Sequence, residues 1–210
     1  DRSPSRGLGD VYKRQLLENG RCYGRFYSRY DESIYMEYLE RFGFDRKIKF
    51  GKLSKGQKIK AQFAFALSTD PKYLILDEPT ANFDPDFKQD FLNVIMQFME
   101  SGKKSVIIAS HILDELDRIA DYLIYLDKGE LVYSGDIESF RDKYRILSGE
   151  SYKVKLLKQE DIIHAEDRKY GTKALVVNHG YSKYDGALTV TVPTLEEFMY
   201  HYSKRGESVI

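Results

Sequence analysis

Residues 73–85 read Tyr73-Leu74-Ile75-Leu76-Asp77-Glu78-Pro79-Thr80-Ala81-Asn82-Phe83-Asp84-Pro85, and this stretch decides the fold. Its first four residues form an apolar run with the length of a buried strand, and two acids, Asp77 and Glu78, stand at its C-terminal end. Asp84 is then placed as an N-cap before a proline at the first helical position. The helix it opens carries Phe87, Phe91, Leu92, Ile95, Phe98 and Met99 on its buried face. A second apolar run over residues 105–109 follows. Strand, crossover helix and strand make a parallel α/β unit, and ligands of such sheets bind at the carboxyl ends of the strands, where Asp77 and Glu78 stand.

Toward the N-terminus, Ile34, Tyr35, Tyr38, Leu39 and Phe42 recur at helical spacing over residues 32–44, and Gly43 is the expected stop. Arg46, Lys47, Lys49 and Lys52 read as a solvated connection. A second helix over residues 56–67, with Ile59, Phe63, Ala64, Ala66 and Leu67 inward, is ended by Asp70-Pro71. It is preceded by Leu53-Ser54-Lys55-Gly56-Gln57. The unpaired N–H groups and the dipole of a helix start favour an anion such as phosphate, and Ser54 adds a hydroxyl donor. Taken alone, the same pentapeptide is an ordinary helix cap.

Toward the C-terminus, a helix is expected over residues 112–119 and strands over 122–126 and 130–133, joined by the turn Asp127-Lys128-Gly129. An antiparallel edge therefore follows the parallel unit. A helix over 136–144 leads to an expected boundary at Ser148-Gly149. Beyond it lie strand-like runs at 153–157, 174–177 and 188–192, then a helix opened by Pro193-Thr194 and running through Phe198 and Tyr202. This tail reads as a small α+β appendage. His111 follows the strand at 105–109, where an imidazole can reach a γ-phosphate or an attacking water, although a single histidine at a helix start is more often a cap. His164, His179 and His201 fall outside any such pattern and read as structural or exposed.

Composition narrows the classes. The 210 residues, 42% hydrophobic, suffice for one sizeable core or a core with a small appendage. Lys and Arg number 33 against 33 Asp and Glu, so no basic excess calls for a nucleic-acid partner. Cys22 is the sole cysteine and cannot form an internal disulfide, and no Cys/His spacing suits zinc. The apolar runs are far shorter than the roughly 20 residues that cross a bilayer, so a membrane role must come through a partner. Residues 1–15, rich in Ser, Arg and Gly without hydrophobic period, are expected to be disordered and resemble the adapter-derived tails of incompletely assembled reading frames.

In order and rough spacing these elements resemble the ABC ATPase family over residues 23–135. The pentapeptide Leu53-Ser54-Lys55-Gly56-Gln57 is similar to the family's signature, residues 73–77 to its Walker B strand and Glu78 to its catalytic carboxylate. Residues 81–84 resemble the D-loop, and His111 the switch histidine. Lys55 departs from the signature's usual first glycine, and Asn82-Phe83-Asp84 from the commoner small-Leu-Asp. The larger departure is that no G-x-x-x-x-G-K-[S/T] phosphate cradle occurs in the sequence, and the family's glutamine loop and adenine-stacking aromatic have no clear match. Because the family places the cradle before the helical subdomain, truncation accounts for its absence better than divergence.

The resemblance implies an α/β fold: the C-terminal part of a P-loop ATPase domain with a helical subdomain, followed by the α+β appendage. The expected divisions are residues 1–15, a partial ATPase domain over 16–147 (helical subdomain about 23–70, Walker B half about 71–147) and the appendage over 148–210. It further implies a full-length ATPase using ATP and Mg²⁺, with Leu53, Ser54, Lys55, Gly56, Gln57 and Asp84 at the nucleotide, Asp77 serving the metal, Glu78 polarising water and His111 sensing the γ-phosphate. A transmembrane permease subunit and a second ABC ATPase subunit are the implied partners, on the inner face of the cell membrane. Two other readings are a non-catalytic partner lending its signature to an intact cassette and a non-transport ABC ATPase.

Overall fold

The structure, a computed structural model, describes residues 11–113, 116–180 and 188–206. The chain divides into two compact units, Asp1–His111 and Ile112–Ile210.

In the first unit the helices α1 (Leu16–Gly24), α2 (Glu32–Arg41) and α3 (Lys55–Ser68) precede the parallel sheet. Helix α2 begins where Asp31 accepts the backbone N–H groups of Ser33 and Ile34, and it buries Tyr35 and Leu39. Helix α3 begins in a capping box, the Ser54 hydroxyl accepting from Gln57 N at 3.2 Å and Gln57 Oε1 accepting from Ser54 N at 2.9 Å. Strand β1 (Tyr73–Asp77), helix α4 (Pro85–Met99) and strand β2 (Ser105–Ala109) then form the expected β-α-β unit, and Asp84 caps α4 through Phe87 N at 2.9 Å. The strands pair in parallel with Tyr73 opposite Ser105 and Asp77 opposite Ala109, so both end at one level.

Phenylalanines hold this unit together. Phe42, Phe63, Phe83, Phe87 and Phe91, from the end of α2, α3, the D-loop stretch and α4, pack with ring centroids between 4.7 and 5.9 Å apart. Phe83 therefore has a packing reason: it is buried edge-on against Phe87, where a leucine would leave part of this aromatic space unfilled.

Two expectations for this unit need correction. The strand at 73–76 is not buried on both faces: Leu74 is buried, whereas Tyr73 and Ile75 are 71% and 74% exposed, with Ile107 of β2 beside them at 59%. No described residue of the first unit covers that face. The expected disorder over 1–15 fails at its end, because residues 11–13 are helical and Gln15 bridges Lys49 antiparallel. Residues 1–10 lie outside the described residues.

The second unit contains an antiparallel pair, β3 (Tyr122–Asp127) and β4 (Glu130–Asp136), whose turn places Lys128 and Gly129 in the left-handed region at φ 50° and 83°, as a tight hairpin requires. Helix α5 (Ile137–Lys143), capped by Asp136, leads into β5 (Tyr144–Gly149). After α6 (Ser151–Lys155) come β6 (Ile162–Arg168), β7 (Gly171–Val177), β8 (Thr189–Thr191) and α7 (Leu195–Ser203). The four-stranded sheet has the order β6-β7-β5-β8 and is antiparallel throughout.

The expected boundary at 147/148 is therefore wrong. It would cut β5, which pairs with both β7 and β8, and Tyr125, Tyr133, Phe140, Tyr144 and Phe198 share one core across it. The expected strand at 153–157 is helical over Ser151–Lys155, and of the expected helix at 112–119 only the 3-10 turn Leu116–Arg118 is seen, Asp114 and Glu115 lying outside the described residues.

Candidate active site

The parallel register of β1 and β2 builds the site. Because Asp77 and Ala109 are opposite one another at the strand ends, the residues that follow leave the sheet side by side, and Glu78 N donates to Ala109 O at 2.8 Å. The Glu78 carboxylate meets His111 at 2.7 Å (Oε1 to Nδ1) and lies 3.4 Å from the Ser110 hydroxyl. Glu78 adopts φ 45°, a left-handed conformation uncommon for a residue with a side chain and typical of positions where surrounding structure enforces an aim.

The hydrogen bond from His111 is the main cause that holds the Glu78 carboxyl below the usual carboxylate range, against a weaker opposing effect of burial. A carboxylate only accepts, so the shared proton resides on His111 Nδ1 and leaves Nε2 directed elsewhere. An ionised carboxylate next to an imidazole at a strand's carboxyl end is an arrangement that can orient and polarise a water. Asp77, at the end of β1, is exposed and supplies a further hard oxygen donor. The described residues include no cluster of three or more His, Cys, Asp or Glu side chains able to hold a metal ion, so Asp77 does not make a Mg²⁺ site unaided.

The signature turn and the D-loop stretch meet each other. Gly56 is buried against the backbone of Asn82, and a Cβ there would lie 2.3 Å from the Asn82 carbonyl oxygen. One turn along α3, Lys60 Nζ reaches Asp84 Oδ2 at 2.7 Å and lies 3.8 Å above the Phe87 ring. Asp84 thus uses one oxygen on Lys60 and the other as the cap of α4, and the hydrogen bond from Lys60, followed by that from Phe87 N, is the main cause holding its carboxyl low. Leu53 is buried as the apolar anchor of the turn, whereas Lys55 and Gln57 are exposed.

The sequence-predicted residues therefore fall into two groups. Glu78 and His111 touch. Ser54 with Gln57, and Gly56 with the D-loop stretch, form the other group, and no hydrogen bond or ion pair joins Ser54 to Glu78 or His111. Three participants escaped the sequence reading: Ser110, Lys60 and the Asn82 carbonyl. Lys60, four residues after Gly56 and so on the same helix face, carried a usable signal; the Asn82 carbonyl carried none. A cavity of ≈ 210 Å³ lies elsewhere, among α1, α2 and α3, lined by Leu16, Tyr23, Tyr35, Phe50 and Phe65 but by neither Glu78 nor His111.

Comparison with known proteins agrees with these elements. Residues 5–117 match the family described as "AAA domain, putative AbiEii toxin, Type IV TA system", a span that includes the signature turn, β1 and His111. The energy-coupling factor transporter ATP-binding protein EcfA2 of Caldanaerobacter subterraneus is 41% identical over 95 residues, which are 45% of this chain and 33% of that protein. The ABC transporter ATP-binding protein NatA of Bacillus subtilis is 33% identical over 147 residues, 66% of this chain and 58% of that protein. The chain thus spans only part of the length of the curated relatives it matches, about a third for several of them. A solved ATP-binding subunit of an ABC transporter superposes with TM-score 0.55 at 23% identity, over 62% of this chain and 56% of that one. A cobalt transport ATP-binding protein, cbiO-2, does so with TM-score 0.53 at 19% identity, over 80% and 60%. These two likenesses bear on the fold alone. The chain belongs to the ABC-type ATP-binding family and carries part of its P-loop ATPase domain.

Proposed function

We propose that the full-length protein is the ATP-binding and ATP-hydrolysing subunit of an ABC membrane transporter, and that this chain is a fragment of it, inactive alone. The observation that carries the reading is the 2.7 Å contact between Glu78 and His111 at the ends of two paired parallel strands. In this reading Glu78 polarises the attacking water and His111 senses the γ-phosphate. Ser54 and the backbone at Gly56, with Leu53, Lys55 and Gln57 shaping the turn, meet the nucleotide held by a second ABC ATPase subunit. Asp84 keeps the D-loop on the signature helix. Asp77 contributes one oxygen to Mg²⁺, and the remaining ligands and the phosphate cradle belong to the part of the protein that precedes this chain.

The exposed apolar face of Tyr73, Ile75 and Ile107 supports the fragment reading, since parallel sheets bury both faces and a sheet with further strands and helices would cover it. No helix among the described residues is long and apolar enough to cross a membrane. Attachment to the inner face of the cell membrane would then run through a permease subunit docked on the helical region, residues 23–52. EcfA2 and NatA, both named as transporter ATP-binding proteins, support that assignment.

A second reading is favoured by one specific observation, the complete capping box and buried Gly56 of the signature turn in a sequence with no phosphate cradle. Here the chain lends its signature to an intact cassette. One experiment separates the two. ATP hydrolysis is measured for the chain alone, for its Glu78→Gln and Ser54→Asp variants, and for each mixed with an intact homologous cassette. Negligible turnover in every sample lacking the cassette, with no stimulation on mixing, supports the fragment. Stimulation on mixing that Ser54→Asp removes supports the second reading. Steady turnover by the chain alone, lost in Glu78→Gln, overturns both.

A further inference from the structure

Residues 46–60 carry Arg46, Lys47, Lys49, Lys52, Lys55, Lys58 and Lys60 and no acid, in a chain with 33 basic and 33 acidic side chains. Two of these cations are compensated: Arg46 pairs with Glu40 at 3.0 Å and Lys60 with Asp84 at 2.7 Å. Lys47, Lys49, Lys52 and Lys55 are exposed and form no ion pair among the described residues. Lys58 lies 5.2 Å over the Tyr12 ring, a neutral partner that leaves its charge unmatched. Backbone contacts fasten the segment beside the start of α1, with Leu16 N donating to Ile48 O at 3.0 Å and Leu17 N to Arg46 O at 3.3 Å.

Spacing puts these charges side by side. Lys49 and Lys52 are joined across the 3-10 turn Phe50–Lys52, where Lys52 N donates to Lys49 O at 2.9 Å and residues i and i+3 eclipse. Lys55 and Lys58 have the same separation on α3 and share one of its faces. Like charges at this spacing repel, and cations in the first turn of a helix oppose its dipole. Helix α3 has no acid in its first turn to offset them. The row is therefore unfavourable in the chain by itself, and an anionic partner would relieve it. The proposed nucleotide contact takes up Lys55, but Lys47, Lys49 and Lys52 precede the signature turn and Lys58 follows it, so a wider anionic surface is needed to meet them.

We propose that Lys47, Lys49, Lys52 and Lys58 form an electrostatic contact with the anionic phospholipid headgroups of the membrane. The choice of a lipid surface rests on the transporter reading, which sets residues 23–52 against a permease at the membrane. The side-chain chemistry agrees with it. Lysine is a flexible, hydrated point charge suited to diffuse headgroup phosphates, whereas bidentate recognition of single phosphates along a nucleic acid favours arginine. The one arginine of the row, Arg46, is held by Glu40. Each lysine near an anionic leaflet favours partitioning by about five-fold, so the four together contribute on the order of several hundred-fold.

The test is co-sedimentation of the 210-residue chain, without nucleotide or permease, with vesicles of phosphatidylglycerol and phosphatidylcholine in equal parts and with vesicles of phosphatidylcholine alone. Binding is expected to the anionic vesicles only, and should fall steeply from about 0.1 to about 1 M salt as the screening length shrinks from about 10 to about 3 Å. The variant Lys47→Gln/Lys49→Gln/Lys52→Gln/Lys58→Gln should lose that binding by on the order of several hundred-fold. A second variant, Lys72→Gln/Lys103→Gln/Lys155→Gln/Lys169→Gln, removes as many charges from exposed positions elsewhere and should retain it. Lys58 is half-buried and the other substituted lysines are exposed, so both variants are expected to fold, which circular dichroism checks. No binding to the anionic vesicles, equal binding to both kinds, equal losses in the two variants, or displacement by inorganic phosphate at constant ionic strength overturns the proposal. Tighter binding to polyuridylate at equal phosphate concentration also overturns it and assigns the row to nucleic acid. No ATP is turned over in this assay, so its failure leaves the ATPase reading standing, and failure of the ATPase reading leaves the vesicle result intact.

Discussion

The backbone of Asn82 runs so close to Gly56 that a methyl group on the signature glycine would lie 2.3 Å from the Asn82 carbonyl oxygen. Glycine at this position is thus required by the approach of the D-loop stretch, before any nucleotide is considered. Replacing a helical glycine by alanine ordinarily stabilises by about 0.5–1 kcal/mol. Here the obstacle is backbone, which cannot swing aside, and the overpacking cost of about 1–3 kcal/mol wins. Gly56→Ala should therefore lower the urea midpoint of unfolding, and an unchanged or raised midpoint would show that the two segments are not in contact.

Ser54 combines a structural duty with a proposed functional one, and two substitutions part them. Ser54→Ala removes the cap of α3 and is expected to cost about 0.5–2 kcal/mol of stability. Ser54→Asp retains a capping oxygen and should stay within a few tenths of a kcal/mol of wild type, because aspartate caps as well as serine. In the full-length protein the same Ser54→Asp places a negative charge against phosphate and should abolish ATP hydrolysis. Circular dichroism melts paired with turnover measurements check both halves.

The phenylalanine cluster gives graded expectations. Phe91, fully buried between Phe63 and Phe83, should cost about 3–5 kcal/mol on replacement by alanine. Phe83→Leu, which restores the residue commoner at that D-loop position, keeps most of the apolar volume and should cost less than about 1.5 kcal/mol. Equal effects of the two substitutions in denaturant titrations would refute the assigned packing.

For the Glu78–His111 pair the expected signal is a titration. Carbon NMR of labelled glutamate carboxyls should find Glu78 below the ordinary range in the wild type, because the His111 hydrogen bond favours the ionised form. His111→Ala should return it upward. The sign follows from the depressed folded value: the stabilising contribution is present at neutral pH and is lost as pH falls through the Glu78 pKa. Both groups are well exposed, at 41% and 69% of their side chains, so the change in overall stability should be small even though the titration moves. An unchanged Glu78 titration would mean that the contact does not persist in solution.

Much of this protein was legible in residues 53–111, because the informative signals there are local. Ser54 and Asp84 announce helix starts through bonds reaching only three residues, and the apolar runs at 73–77 and 105–109 flank a helix whose buried face is visible in its spacing. Once two parallel strands are placed, their common end brings Glu78 toward His111. Local pattern misled in the second unit. Lys153-Val154-Lys155-Leu156-Leu157 alternates like a strand, yet Val154 and Leu157 are the buried pair and Leu156 is 80% exposed, the three-residue spacing of a helix. Tyr144 was absorbed into the preceding helix, which concealed β5 and moved the expected boundary into the middle of a sheet. The bare face of β1, the seat of Gly56 beneath Asn82 and the meeting of His164 with His201 were decided only by the tertiary structure. Those contacts join residues that are distant in the chain, and their geometry is set by how helices and strands pack, which no local spacing of residue types encodes.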